Sequence, residues 1–191
     1  MTKKKIHATF CFATRRKEKH MDLQKSNMTG RDLSCDTRIL NEIERQFEYA
    51  EETKNKIFFM RYDIRFPEGY DHADNGIFSE FQSKFMKNLS RKGLKPQYVA
   101  VREQSKEKHQ HYHVALILDG QKTQSIHNHI RTAERLWDLT LGLPEKENGY
   151  GLIDDCTTSR SGEKQVNGVM LRYDDPWDQI KKMIVSEEPV I

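Results

Sequence analysis

His111 and His113 stand two residues apart in the run Val99-Ala-Val-Arg-Glu-Gln-Ser-Lys-Glu-Lys-His-Gln-His-Tyr-His-Val-Ala-Leu-Ile-Leu118. On a strand, alternate side chains share a face, so both imidazoles point the same way, with Ala115 and Ile117 continuing beneath them. The stretch folds naturally into an antiparallel hairpin, Tyr98 to Glu103 against His111 to Leu118, joined by the polar residues Gln104 to Gln110. Pairing Glu103 with His111 sets Val101 opposite His113 and Val99 opposite Ala115. Glu103, His111 and His113 then converge at the hairpin mouth. Two imidazoles and a carboxylate with open positions suit a divalent cation that must also hold a phosphate oxygen, with Mg²⁺ or Mn²⁺ the expected occupant. Gln104 faces the other way in this register and ranks below Glu103, although a bulge in the turn would exchange them.

The other histidines carry less. His127 and His129 are two apart on an expected helix and diverge by about 200°, which rules out a shared chelate. His109 falls in the hairpin turn. His7, His20 and His72 have no evident partners.

The elements that position these residues follow from periodicity. Asp36 is placed to cap a helix with apolar residues at Ile39, Leu40, Ile43 and Phe47, ending near Thr53. In Ile57 to Phe66, Phe58, Met60, Tyr62, Ile64 and Phe66 alternate with Phe59, Arg61, Asp63 and Arg65, a strand stopped by Pro67. Phe78, Phe81, Phe85 and Leu89 trace a second helix ended by Gly93. Ile126, Ile130, Ala133 and Trp137 trace a third, with Gly142 and Pro144 after it. Tyr150 to Cys156 and Val166 to Arg172 read as a last hairpin. The expected fold is α+β: a ferredoxin-like antiparallel sheet with a β-α-β-β-α-β core and its helices on one face, preceded by an N-terminal arm and helix. The expected division is an arm over residues 1–35, a domain over 36–175 and a tail over 176–191.

The 191 residues suit one domain, and no apolar run approaches the ~20 residues of a membrane span, so a cytoplasmic protein is expected. Cys11, Cys35 and Cys156 are odd in number and lack CxxC spacing, which disfavours a disulfide framework or a cysteine-built zinc site. Net charge is only +3, but its sign is segregated. Residues 1–20 hold seven basic side chains against one acid and residues 84–108 hold eight against two, whereas residues 145–191 hold six against ten. Such separation lets a nearly neutral chain present a positive surface to a phosphate backbone, and Arg61, Arg65, Arg102, Lys106 and Lys108 are the expected phosphate contacts.

The histidine-hydrophobe-histidine strand in a sheet of this order, with Tyr112 in the middle position, resembles the HUH superfamily of replication initiators and relaxases. The blocks Lys56-Ile-Phe-Phe-Met-Arg-Tyr-Asp-Ile-Arg-Phe-Pro67, Tyr98-Val-Ala-Val-Arg-Glu-Gln104, His109-Gln-His-Tyr-His-Val-Ala-Leu-Ile-Leu-Asp-Gly120 and Leu136-Trp-Asp138 look like the inovirus gene II protein-like family and its prophage YagK/YfjJ relatives, over roughly residues 36–175. The resemblance implies rolling-circle DNA replication: a histidine-bound metal polarises the scissile phosphate of single-stranded or origin DNA, a tyrosine nicks it, and host replication proteins are partners. It also implies a helix with the nucleophilic tyrosine and a lysine a few residues on. In this chain the last tyrosine is Tyr173, before Asp174-Asp-Pro176 and amid acids, so it is the sole candidate nucleophile and an ill-placed one. A noncatalytic RNA- or single-strand-binding module on the same topology is the alternative, although His111-Tyr-His-Val-Ala lacks the aromatic pattern of such modules.

Overall fold

The computed structural model describes residues 37–70, 75–105, 108–146, 149–158 and 162–171, with the side chains of 37–40 and 103–110 outside that description. The elements run α1 (Thr37–Thr53), β1 (Ile57–Arg65), α2 (Gly76–Arg91), β2 (Gln97–Ser105), β3 (Lys108–Asp119), α3 (His127–Thr140), β4 (Ile153–Asp154) and β5 (Val169–Leu171). Three helices and an open antiparallel five-stranded sheet result, with strand order β2-β3-β1-β4 and β5 also on β1. The arm expected over residues 1–35 lies outside the described residues.

Alternation along β1 and β3 divides the sheet into two faces. Phe58, Met60, Tyr62 and Ile64 of β1 and Tyr112, Val114, Leu116 and Leu118 of β3 meet Phe78, Phe81, Phe85 and Leu89 of α2 and Ile130, Ala133 and Trp137 of α3 in the main core. Aromatic geometry orders this layer. Phe78 stacks on Tyr112 with centroids 3.9 Å apart and rings 5° from parallel, while Trp137 meets Phe81 edge-on at 5.3 Å. Each such pair adds roughly 0.5–1.5 kcal/mol beyond its buried area. On the opposite face Ile43, Phe47 and Ala50 of α1 cover Ile57, Phe59, Val99, Ile117 and Leu171. Thus α2 and α3 share one face, as the patterning implies, and the N-terminal helix takes the other.

Both main helices stop where glycine can turn left-handed. Gly93 (φ 70°) donates its N–H to Ser90 O at 2.8 Å and Leu94 N–H reaches Leu89 O at 3.1 Å, with both leucines buried beside each other in the core. This is the Schellman arrangement that satisfies the last carbonyls of a helix. Gly142 and Leu143 close α3 on Leu139 O and Asp138 O in the same way.

The last hairpin read from the sequence is corrected. Among the described residues, 150–156 and 166–171 do not pair with each other as strands: β4 pairs with β1 at Asp63 and Ile64, and β5 pairs with β1 at Ile57, Phe58 and Phe59. Two short strands therefore share one edge of β1 end to end. Between them Asn167 fills the gap, its Oδ1 accepting the Arg61 N–H and its Nδ2 donating to the Arg61 carbonyl, both at 2.8 Å. A side-chain amide carries the same donor and acceptor as a peptide unit, so it substitutes for one residue of strand. Tyr150 lies outside any strand, its hydroxyl donating to Pro144 O at 3.1 Å.

Candidate functional site

Strand register builds the site. β2 pairs with β3 at Val99 and Ala115, Val101 and His113, and Glu103 and His111, the register expected for the hairpin, and an irregularity follows between Glu103 and Ser105 at Gln104. β1 pairs with the other edge of β3 at Arg61 and Ala115, Asp63 and His113, and Arg65 and His111. Cross-strand partners share a face, so Arg61, Asp63, Arg65, His111 and His113 occupy one surface. It is the α1 face of the sheet, in the part beyond the residues that α1 packs against.

The two imidazoles stand edge to face, with centroids 4.7 Å apart and planes at 80°. His113 Nδ1 lies 2.9 Å from Asp63 Oδ1. A carboxylate accepts only, so the ring's Nδ1 carries the proton and the neutral tautomer presents Nε2 as a lone pair. Burial alone raises the Asp63 carboxyl; the hydrogen bond from His113 and the charges of His113, Arg61 and His111 outweigh it and hold the group below the ordinary carboxylate range.

The arginines flank this pair. Arg65 is exposed and its Nη2 is 3.7 Å from Asp154 Oδ2, a loose surface pair of little energetic worth that leaves the guanidinium accessible. The charge of Arg61 acts on the buried Cys156 thiol, which burial and then the Asp63 charge push up to about 12. On the far side, the Trp137 indole N–H donates to the Arg65 carbonyl at 3.0 Å, fixing the end of β1 to α3.

Other candidates are placed elsewhere. Arg102 pairs with Tyr112 on the α2 face, and its Nη1 donates to Asn75 Oδ1 at 2.8 Å, the atom that also accepts the Tyr112 hydroxyl. It is therefore separated by the sheet from Arg61 and Arg65. Glu103 has the backbone position opposite His111, and Lys108 pairs with Ser105 in the ladder; their side chains, with Lys106 and Tyr173, lie outside the described residues. His129 is buried, its Nε2 2.7 Å from Thr123 Oγ1, and it plays no part in the site.

Among the described residues, no three His, Cys, Asp or Glu side chains form a metal-holding group. Of the expected ligands, His111 and His113 have their rings on one face, and Glu103 has its backbone position opposite His111. Asp63 is the residue that the sequence alone does not single out. Its parity was evident from the alternation of β1, but the pairing that brings it to His113 spans fifty positions of chain.

Among the described residues no helix is long and apolar enough to cross a membrane. No curated protein and no solved structure matches the chain. Residues 17–140 match the YagK/YfjJ C-terminal domain, a span that closes with the end of α3.

Proposed function

The chain belongs to the YagK/YfjJ family, a prophage-type family, and from that premise we propose that it is a metal-dependent DNA-binding protein of the HUH type, related to the inovirus gene II replication proteins. The strand order β2-β3-β1-β4 with α2 and α3 on one face supports a ferredoxin-like reading of the core. In this reading Glu103, His111 and His113 hold Mg²⁺ or Mn²⁺, and the partner is single-stranded or origin DNA in rolling-circle replication. The observation that carries it is the row formed by Arg61, Asp63 and Arg65 on β1 against His113 and His111 on β3. That row sets two cationic side chains beside two imidazoles, one of them with its tautomer fixed by a carboxylate.

The roles follow from the chemistry of each group. The cation, when bound, supplies a Lewis acid to a phosphate oxygen. Asp63 accepts a hydrogen bond from the Nδ1–H of His113, holding the ring in place and Nε2 unprotonated. Arg61 and Arg65 neutralise phosphates through their forked donors. Lys106 and Lys108 are proposed as further phosphate contacts, whereas the guanidinium of Arg102 is held by Asn75 on the other face. Strand scission needs a nucleophile that reaches the scissile phosphorus, and Tyr173, amid Asp174 and Asp175 in the sequence, is an ill-placed one, so DNA binding with little or no cleavage is the proposed activity.

Calorimetry with Mn²⁺ tests the metal reading: His111→Ala with His113→Ala abolishes binding, and an unchanged affinity in that double variant overturns it. For scission, labelled single-stranded oligonucleotides are incubated with Mn²⁺ and run on a denaturing gel. Little or no covalent band is the expected result, and a band that disappears in Tyr173→Phe overturns it and makes Tyr173 the nucleophile.

A further inference from the structure

At the end of the sheet away from the histidines, three connections meet: residues 54–56 before β1, 92–96 before β2 and 120–126 after β3. They are laced together. Asp119 N–H donates to Leu94 O at 2.8 Å, Gly120 N–H to Lys56 O at 2.9 Å, Lys122 Nζ to Gly93 O at 3.0 Å and Lys95 Nζ to Thr53 O at 2.9 Å. The connections hold Lys54, Lys56, Lys92, Lys95 and Lys122 and no carboxylate, and Arg91 ends α2 beside them. Lys56, Arg91, Lys92, Lys95 and Lys122 are exposed.

The nearby acids do not balance this charge. Asp119 is buried, and its charge acts on Lys54, which is buried too and hydrogen-bonded to Gln97. Glu51 and Glu52 close α1 just before, two acids against six bases. The oxygens that receive Lys95 and Lys122 are carbonyls, which accept a hydrogen bond without cancelling a charge. Mutual repulsion is felt inside the cluster: burial first, then the charge of Lys95, pushes the Lys54 ammonium down to about 8. At the other end acids and bases are mixed, with Asp63 and Asp154 standing beside Arg61 and Arg65.

From this unbalanced charge we infer that the lysine end of the sheet is a second phosphate-docking surface, which takes the backbone of the same single DNA strand whose other part lies at the histidine face. The inference rests on the DNA reading above and adds the place where most of the electrostatic binding arises. A membrane surface fits less well, because none of the exposed large apolar residues among those described lies in the three connections, and interfacial binding draws on such residues. The nine residues of β1 separate the two ends by about 26 Å.

The test uses the full chain and a fluorescent oligothymidylate of about 20 nucleotides, long enough to reach both ends. Affinity is measured against salt for the wild type, for Lys56→Gln/Lys92→Gln/Lys122→Gln and for Arg61→Gln/Arg65→Gln, with thermal midpoints to monitor folding. Three lost phosphate contacts reduce the salt slope by about 2 and weaken binding roughly a hundredfold at 0.1 M salt, while Lys→Arg at the same positions restores both. An unchanged slope in the lysine variant, with the arginine variant impaired, overturns the second surface and leaves the DNA reading standing. A wild type that does not bind the oligonucleotide sinks both. Binding to phosphatidylserine vesicles but not to the oligonucleotide overturns the inference in favour of a lipid surface.

Discussion

Asn167 grips Arg61 by both its N–H and its C=O, so one side chain joins β4 to β5 along the edge of β1. The same amide oxygen accepts the Gly168 N–H, and its nitrogen also meets the Asp155 carbonyl. Replacing Asn167 with Ala leaves the Arg61 N–H and C=O without these partners, which costs about 1–3 kcal/mol. Urea denaturation reads the loss, and hydrogen exchange at the Arg61 amide accelerates with it. A variant with wild-type stability and protection shows that solvent replaces the amide at no cost.

Asp63 and His113 act as a unit. Asp63→Asn keeps the shape but replaces an acceptor by a group that presents either an oxygen or an NH₂, so the His113 tautomer is no longer fixed. Loss of a carboxylate that orients a ligating histidine weakens metal affinity about 10- to 100-fold. Mn²⁺ calorimetry on Asp63→Asn is expected to fall in that range. An affinity equal to wild type separates Asp63 from metal binding.

Lys54 gives a pH signature. Its amine stands at about 8 in the folded chain against an ordinary 10.5, because burial, then Lys95, disfavours the charge while Asp119 favours it. Below pH 8 folded and unfolded chains both hold the proton, and the full cost of burying the charge is present. Between pH 8 and 10.5 the folded chain releases it first, so stability relative to Lys54→Met rises with pH, by about 1–2 kcal/mol from pH 7.5 to 9.5. Paired urea titrations at those two pH values measure the difference. A constant gap between wild type and variant contradicts the shift.

Cys156 is a free thiol held in the protonated state by burial and by the carboxylate of Asp63 beside it. Since thiolate is the reactive form, alkylation of native Cys156 at pH 8 is roughly a thousandfold slower than in urea. Iodoacetamide labelling followed by peptide mass mapping gives the rate. Fast native labelling contradicts both the burial and the raised thiol.

What was legible in the sequence tracks how local each interaction is. The Glu103 to His111 register follows from alternation across a short hairpin, and the helix stop at Gly93 from a residue able to turn left-handed. The pairing of Asp63 with His113 joins strands that an entire helix and another strand separate, and no local pattern encodes it. β4 and β5 are two and three residues long, too short for any period, and the bond that unites them belongs to an asparagine in a polar segment. The parity of Arg102 was readable, whereas its partner Asn75 sits at the start of α2 and becomes visible only when the strand meets the helix.

Tyr112 stacks on Phe78 beneath the sheet while the histidines on either side of it face the opposite surface. This makes β3 intolerant of frame errors. Inserting or deleting one residue between the Phe78 contact and the hairpin would reverse the facing of the strand beyond that point, driving an imidazole toward the aromatic layer and an adjoining side chain out to solvent. Point substitutions can tune the surface gradually, but changes in length here are all or nothing. Variation in this chain's relatives should therefore collect between Ser105 and Lys108, where added length leaves the facing of both strands intact.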